Sequence, residues 1–360
     1  METENSIKKI LNEICEPYTG KTLSEIGAIQ NIKESETELI INLVFGFPML
    51  GYEEKLRKMI FSELEKAYEK PIKIDIVSKI TAREAQRGVP TINQVKNIIA
   101  IASGKGGVGK STTATNLACA ISQEGGTVGI LDADIYGPSQ TKMLGTIGKP
   151  DSLDGKKMEP ISNHGIQSIS IGNLIKEDTP MIWRGPMATG ALEQLLNETN
   201  WKQLDYLVVD LPPGTGDIHL TLCQKIPLTG AVIVSTPQDI ALLDAKKALK
   251  MFEKVKVPVL GMIENMSGHV CSKCGHEDNI FGKDGAKKMA SEYSIDVLGS
   301  LPIDTNLRKS MDCGKPIVIE NKNSPISQAY LDIARSITAK ISNLNKDFSR
   351  KFPKIVIEDS

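Results

Sequence analysis

Two lysines, Lys105 and Lys110, stand among four glycines in "SGKGGVGKSTT", where Gly104 to Ser111 fits the pattern G-x-x-x-x-G-K-S. Residues of these types at this spacing hold phosphate. Glycines let backbone N–H groups converge on anionic oxygens, the N-terminus of a following helix adds partial positive charge, Lys110 neutralises β and γ charge, and Ser111 can ligate magnesium. Gly104, Lys105, Gly106, Gly107, Val108, Gly109, Lys110, Ser111 and Thr112 therefore form the candidate nucleotide-binding set. Three carboxylates end apolar, strand-like runs elsewhere: Asp132 and Asp134 in "ILDADIYGPS" and Asp210 in "LVVDLPPGTGD". A strand-end carboxylate alone could merely cap a helix, but three beside a phosphate loop point to a functional role.

A second constellation is the C-x-x-C pair, Cys271 and Cys274, in "GHVCSKCGHEDNIFG". Two thiolates at that spacing converge on one metal, and a saturated zinc site or iron–sulfur cluster takes four protein ligands. One chain supplies one such pair; two chains related by a two-fold axis would supply four sulfurs. Spacing alone does not separate zinc from iron–sulfur. His269 and His276 could complete a one-chain zinc site, although they read more naturally as loop surface. Cys15, Cys119, Cys223 and Cys313 are isolated, and Cys119 and Cys223 fall in apolar helical patterns where a small buried hydrophobe is expected. A thioredoxin-like role fits poorly, since there the pair opens a helix directly after a strand.

The elements that must position these groups follow from periodicity. "IIAIAS", "TVGILDAD", "LDYLVVDLP", "AVIVSTP" and "VPVLGMIEN" are short apolar runs of the kind buried on both faces of a parallel sheet, alternating with helical patterns. They predict a doubly wound, mostly parallel α/β domain over residues 97–345. Residues 1–80 predict a small α+β domain: a helix over about 4–16, a hairpin turning near Lys33–Glu36, a helix over 53–67 and the strand "IKIDIVS". The polar stretch "TAREAQRGVPTINQVKN", with Gly88 and Pro90, reads as an exposed linker over 81–96, and 346–360 as a C-terminal tail. The apolar positions Ile326, Tyr330, Ile333, Ile337, Ile341 and Leu344 predict a last helix that covers the sheet.

Composition removes other classes. The chain of 360 residues carries 43 Lys plus Arg against 44 Asp plus Glu, so it lacks the broad positive field of a nucleic-acid binder. "METENSIKKI" has no apolar core of signal-peptide length and no segment reaches 18 uninterrupted apolar residues, which points to a cytoplasmic protein without a membrane anchor. Six cysteines in a reducing compartment argue for thiols rather than disulfides.

With Lys105 placed just after the first glycine, the phosphate loop resembles the deviant Walker A class of P-loop NTPases, which includes partition ATPases, MinD and the nitrogenase iron protein. That resemblance implies a nucleotide at a dimer interface, with Lys105 reaching the partner's phosphates. It also implies that Asp210 holds Mg2+ through water, that Asp134 orients the attacking water, that Asp132 supports metal and nucleotide, and that Asn265 reads adenine. On the residues alone, Asn265 in "GMIENMSG" could equally be a turn asparagine. The set "KGGVGKSTTATNLA", "LDADIYGPS", "WRGPM", "DYLVVDLPPGTGDIHLTL", "TGAVIVSTPQDIALLDAKKALKMF", "LGMIENMSG" and "CSKCG" is similar to the Mrp/ApbC family of iron–sulfur cluster carrier ATPases over roughly residues 97–320. The first domain resembles the small MIP18-related domain of such proteins.

This resemblance implies a homodimer that binds and hydrolyses ATP with Lys105, Lys110 and Asp134 as catalytic residues. It implies a 4Fe-4S cluster held between two copies of Cys271 and Cys274, and exchange with apo iron–sulfur proteins and a cluster assembly scaffold. Ser272-Lys273 stands where the family often has proline, and "CEPYTG" stands where an acidic "DPE"-type stretch is expected, which makes Cys15 a further candidate cargo ligand. The rival reading is a ParA/MinD-like ATPase regulator with a structural zinc at the cysteine pair.

Overall fold

The computed structural model of the protein describes residues 2–86, 88–174, 185–271 and 273–347. Of the sequence features above, Trp183 and Arg184, Ser272 and the tail beyond residue 347 lie outside these residues.

The chain opens with helix α1 (Glu2–Glu13), two two-residue strands, β1 (Cys15–Glu16) and β2 (Lys21–Thr22), and the hairpin β3 (Ile29–Glu34) and β4 (Leu39–Phe45). Helix α2 (Glu53–Leu64) then crosses to β5 (Ile72–Ser78), giving a three-stranded sheet in the order β3-β4-β5. In β4 the inward side chains alternate strictly, Leu39, Ile41, Leu43 and Phe45, and α2 sets Leu56, Ile60 and Leu64 at helical spacing against the same core. That periodicity is why the expected helices, hairpin and last strand form here, although the first helix stops at Glu13, before the short β1, and Lys33 and Glu34 still belong to β3 rather than to the turn.

The larger sheet contains β6 (Val95–Ala102), β7 (Val128–Asp132), β8 (Ile161–Asn163), β9 (Ile166–Ser170), β10 (Leu204–Asp210), β11 (Gly230–Ser235), β12 (Val259–Val270), β13 (Glu277–Asp278) and β14 (Val297–Ile303). Its parallel strands run in the order β14-β12-β11-β6-β10-β7-β9, with β13 and β8 added antiparallel. The helices are α3 (Lys110–Gln123), α4 (Gln140–Met143), α5 (Gly185–Glu198), α6 (Asp217–Lys225), α7 (Asp239–Lys254), α8 (Gly285–Tyr293), α9 (Thr305–Asp312), α10 (Ile317–Glu320) and α11 (Pro325–Ser342).

Strand β6 is buried on both faces: Ile99 and Ile101 pack with α3 and α11, whereas Ile98, Ala100 and Ala102 pack with the α5, α6 and α7 side. Helices therefore cover the sheet on both sides, which is the doubly wound α/β class expected. The amphipathic last helix lies against α3 and β14, with its Ala339 reaching the core of the N-terminal sheet.

The expected exposed linker is corrected in part. Arg83 and Ile92 are buried, the Arg83 N–H donates to Asn97 Oδ1 (3.1 Å), its guanidinium donates to the Leu344 carbonyl (2.9 Å), and Arg83 bridges Lys346 as a short antiparallel pair. A polar, Gly- and Pro-bearing composition reports turn propensity; it does not reveal that these polar groups find partners on β6 and in the segment after α11. Among the described residues, no helix is long and apolar enough to cross a membrane.

Candidate functional site

Parallel strands place their C-terminal ends on one edge, and β6, β7 and β10 deliver the phosphate loop, Asp132–Asp134 and Asp210 to that edge side by side. Two glycines of the loop are required by contact. A Cβ on Gly104 would stand 2.1 Å from the Asp244 carbonyl carbon of α7, and one on Gly109, which has φ 80°, would stand 2.1 Å from Asn265 Nδ2. Only glycine lets the loop pass between α7 and β12 while opening α3.

Lys110 is buried and its ammonium forms a short ion pair with Asp210 Oδ1, lies 3.8 Å from Asp134 Oδ2 and 3.3 Å from Ser111 Oγ. Asp210 is fully buried. Its second oxygen accepts from Gln140 Nε2 at 2.9 Å. The loop after Asp210 is tied to the phosphate loop by Gly214 N–H donating to the Ser103 carbonyl (2.9 Å). Lys105, Gly106, Gly107, Gly109, Lys110, Ser111, Thr112, Asp134, Ser139 and Pro213 surround a cleft of ≈ 220 Å3. Burial pushes the Asp134 carboxyl above its usual range against the opposing pull of Lys110.

Asp132 does something other than line this cleft. It is fully buried and accepts from the Asp134, Ser139 and Gln140 N–H groups (3.2, 3.0 and 3.1 Å) and from Ser170 Oγ (2.9 Å). Burial, reinforced by the Asp210 charge, pushes its carboxyl up to about 7. Asp132 thus shapes the 134–140 segment, and direct support of a metal is not what its four donors offer. Asn265 likewise has its Nδ2 donated to the Val108 carbonyl (2.8 Å), so the amide nitrogen holds the phosphate loop. It does border a second, mostly apolar cleft of ≈ 420 Å3 beside the loop, walled by Met266, Phe281, Pro302, Leu307 and Met311.

Lys105 points along the surface, its ammonium 3.4 Å from Gln238 Oε1 at the start of α7. The same helix exposes Ile240 and Leu243. The cysteine pair stands at the tip of a hairpin, not in the plain loop that its glycine-bearing, polar sequence predicts. Strand β12 continues to Val270, β13 returns beside it, Cys271 N–H donates to the His276 carbonyl (2.9 Å) and Gly275 N–H to the Cys271 carbonyl (2.8 Å). Backbone N–H groups of Lys273 and Cys274 hold the Cys271 thiol below its ordinary range. Cys274 is exposed, and Val270 and Ile280 are exposed on the same hairpin. Among the described residues no group of three or more His, Cys, Asp or Glu side chains is placed to hold a metal ion, so His269 and His276 do not join the pair in one chain. Cys119 and Cys223 are buried as expected, and burial pushes both thiols up to about 12.

Two functional candidates escaped the sequence reading. Gln140 is fully buried between Asp210, Asp132 and α3. His219, on α6, has Nε2 2.8 Å from the Pro212 carbonyl; a carbonyl only accepts, so Nε2 carries the hydrogen, and the buried Nδ1 lone pair has no hydrogen-bond partner among the described residues. The sequence signal for Gln140 is a polar side chain at the start of the short helix that follows the Asp132–Asp134 segment.

Comparison with known proteins places this geometry. A family model described as "ParA: NUBPL iron-transfer P-loop NTPase" matches residues 94–338. An iron-sulfur cluster carrier protein of Haemophilus influenzae is 47% identical over 342 residues, 94% of this chain and 92% of that one. An iron-sulfur cluster transfer protein NUBPL of Mus musculus is 49% identical over 262 residues, 71% and 82% of the two chains. A nucleotide-binding protein of Archaeoglobus fulgidus, solved in complex with ADP, superposes with a TM-score of 0.57 at 38% identity, covering 66% of this chain and 92% of that one.

Proposed function

The chain belongs to the ParA-type family of NUBPL iron-transfer P-loop NTPases, and from that premise we propose that it is an ATP-hydrolysing iron–sulfur cluster carrier. It works as a homodimer, holds a 4Fe-4S cluster between two Cys271–Cys274 pairs, and passes it from an assembly scaffold to apo-proteins. The observation that carries the reading is the hairpin: two sulfurs at its tip, Cys274 exposed and Cys271 partly so, the Cys271 thiol held below its ordinary range by backbone N–H groups, with no third ligand among the described residues, on the strand whose Asn265 holds the phosphate loop. A site that needs four ligands and has two is completed by a second copy.

The nucleotide enters the cleft bounded by the phosphate loop. Its phosphates exchange with Asp210 for the Lys110 ammonium, and the loop N–H groups and Ser111 complete the cradle. The donor set at this point, Ser111 Oγ with the Asp210 carboxylate, is hard oxygen and suits Mg2+. Bound there, Mg2+ would neutralise developing phosphate charge. Asp134, at the cleft wall with its Oδ2 3.8 Å from the Lys110 ammonium, is the group that orients the attacking water. The base packs into the apolar cleft, where Asn265 Oδ1 remains as an acceptor for an exocyclic amine. Lys105, beside the exposed Ile240 and Leu243 on the α7 surface, is the group that reaches the partner's phosphates.

Anaerobic reconstitution with iron and sulfide tests the proposal through visible absorption, metal content and mass in solution. Four irons per dimer are expected, and Cys271→Ala or Cys274→Ala should abolish iron retention while sparing ATP binding. One zinc per chain, or iron retained by both variants, would overturn it. The rival ParA/MinD-like reading with structural zinc gives no reason for a half-complete thiol site at an exposed tip, and relatives named as cluster carriers support the carrier reading.

A further inference from the structure

Gln140 makes contacts that no capping or packing role requires. Its side chain is fully buried. Nε2 donates to Asp210 Oδ2 at 2.9 Å and to the Ser111 carbonyl at 3.1 Å, Oε1 accepts from Thr115 Oγ1 at 2.6 Å, and its own N–H donates to Asp132 Oδ2 at 3.1 Å. One amide thus ties together the strand-end carboxylate of β10, the first turn of the phosphate-loop helix and the carboxylate of β7. With Lys110 on Oδ1, the Gln140 amide on Oδ2 is what stops the Asp210 carboxylate from rotating about its Cβ–Cγ bond.

We propose that Gln140 is the positioning residue that fixes the Asp210 carboxylate in the orientation used by the metal–nucleotide complex, and that it does so as a hydrogen-bond donor. This rests on the reading of the site as an ATPase. An amide is suited to the task because it donates to a carboxylate at every physiological pH without adding charge. A glutamate in its place is isosteric but donates only when protonated, and beside Asp210 two carboxyl groups would share one proton.

The test uses the full chain with three measurements: ATP turnover against pH, Mn2+ affinity in the presence of ADP by electron paramagnetic resonance, and ADP affinity in EDTA. For Gln140→Leu the expected result is about a tenfold or greater loss in kcat with little change in KM, about tenfold weaker Mn2+ binding, and metal-free ADP affinity within about twofold of wild type. For Gln140→Glu, turnover should be low at pH 8 and recover as pH falls towards 6, where the shared proton restores a donor. Should Gln140→Leu fail to fold, the isosteric glutamate variant carries the test alone. Wild-type kcat and Mn2+ affinity in the leucine variant, or a pH-independent loss in the glutamate variant, would overturn the inference. If wild-type protein itself neither binds nor hydrolyses ATP, the ATPase reading falls instead, so the two failures are distinguishable.

Discussion

Replacing Arg335 by methionine should loosen the N-terminal sheet from the P-loop helix, and the size of the effect follows from what surrounds the guanidinium. Glu124, the residue that ends α3, is nearly inaccessible, with its side chain 1% exposed. Its Oε1 accepts from Arg335 Nη2 at 2.7 Å, its Oε2 from the Gly51 N–H at 3.0 Å, and its carbonyl from the Leu50 N–H at 2.9 Å. The guanidinium also lies 5.9 Å and 5.6 Å from the Tyr18 and Tyr52 ring centres and donates to Asp332 at 2.9 Å. Removing it leaves a buried carboxylate with one amide donor, a loss of about 3–5 kcal/mol for a broken buried pair, plus about 0.5–1 kcal/mol per ring contact. Hydrogen exchange at the Leu50 and Gly51 amides reads the opening directly and avoids assuming two-state unfolding of a 360-residue chain. Their protection should fall by about 100-fold or more. Adding Glu124→Gln should restore part of it, because a neutral amide oxygen still accepts from Gly51 without needing a counter-charge; a coupling of about 2 kcal/mol is expected. Protection within about threefold of wild type in Arg335→Met, or a double variant no better protected than the single one, would refute the reasoning.

Other expectations concern the site. Lys105→Ala should keep nucleotide affinity per protomer close to wild type while abolishing ATP-dependent dimerisation in light scattering. Gly104→Ala forces a methyl into the Asp244 carbonyl, an overpacking cost of about 1–3 kcal/mol, so ADP affinity by calorimetry should drop by about 5- to 150-fold. Burial lowers the His219 pKa, so the unfolded chain binds the extra proton first and stability is lost as pH falls below about 6.5. His219→Gln should remove up to about 1.4 kcal/mol per pH unit of that acid-side slope, measured as the difference in Tm between pH 7.5 and 5.5. An unchanged slope would mean the imidazole charges as freely folded as unfolded.

The parts of the molecule that were legible in advance are those governed by local pattern. The buried runs of β6, β10 and β11 are continuous because both faces are covered, and the phosphate loop is one contiguous motif between a strand and a helix. What escaped depends on partners far apart in the chain. Glu124 and Arg335 are 211 positions apart, and Gln140 meets Asp210 across 70. Asp132 and Asp134 look alike in "LDAD", yet β7 ends at Asp132, whose carboxylate is buried and occupied by four donors, whereas Asp134 lies past the strand end and borders the cleft. For Asn265 the sequence did not show that its Nδ2 donates to the Val108 carbonyl, a contact across the chain that the bare Gly109 leaves room for. The hairpin beneath the cysteines was hidden because "ENMSGHV" is polar and glycine-bearing, so it carries no strand signature.

That hairpin has a mechanical side. From Asn265 to Cys271 the chain runs six residues, about 20 Å at the rise of an extended strand. Within it Met266 adopts φ 56°, a left-handed geometry rare for a bulky side chain, and the pairing with β14 slips between Asn265 and His269. Below the irregularity the strand is clamped to the phosphate loop; beyond it the strand carries the thiols. A jointed arm of this kind can swing its tip while the sheet beneath stays stitched.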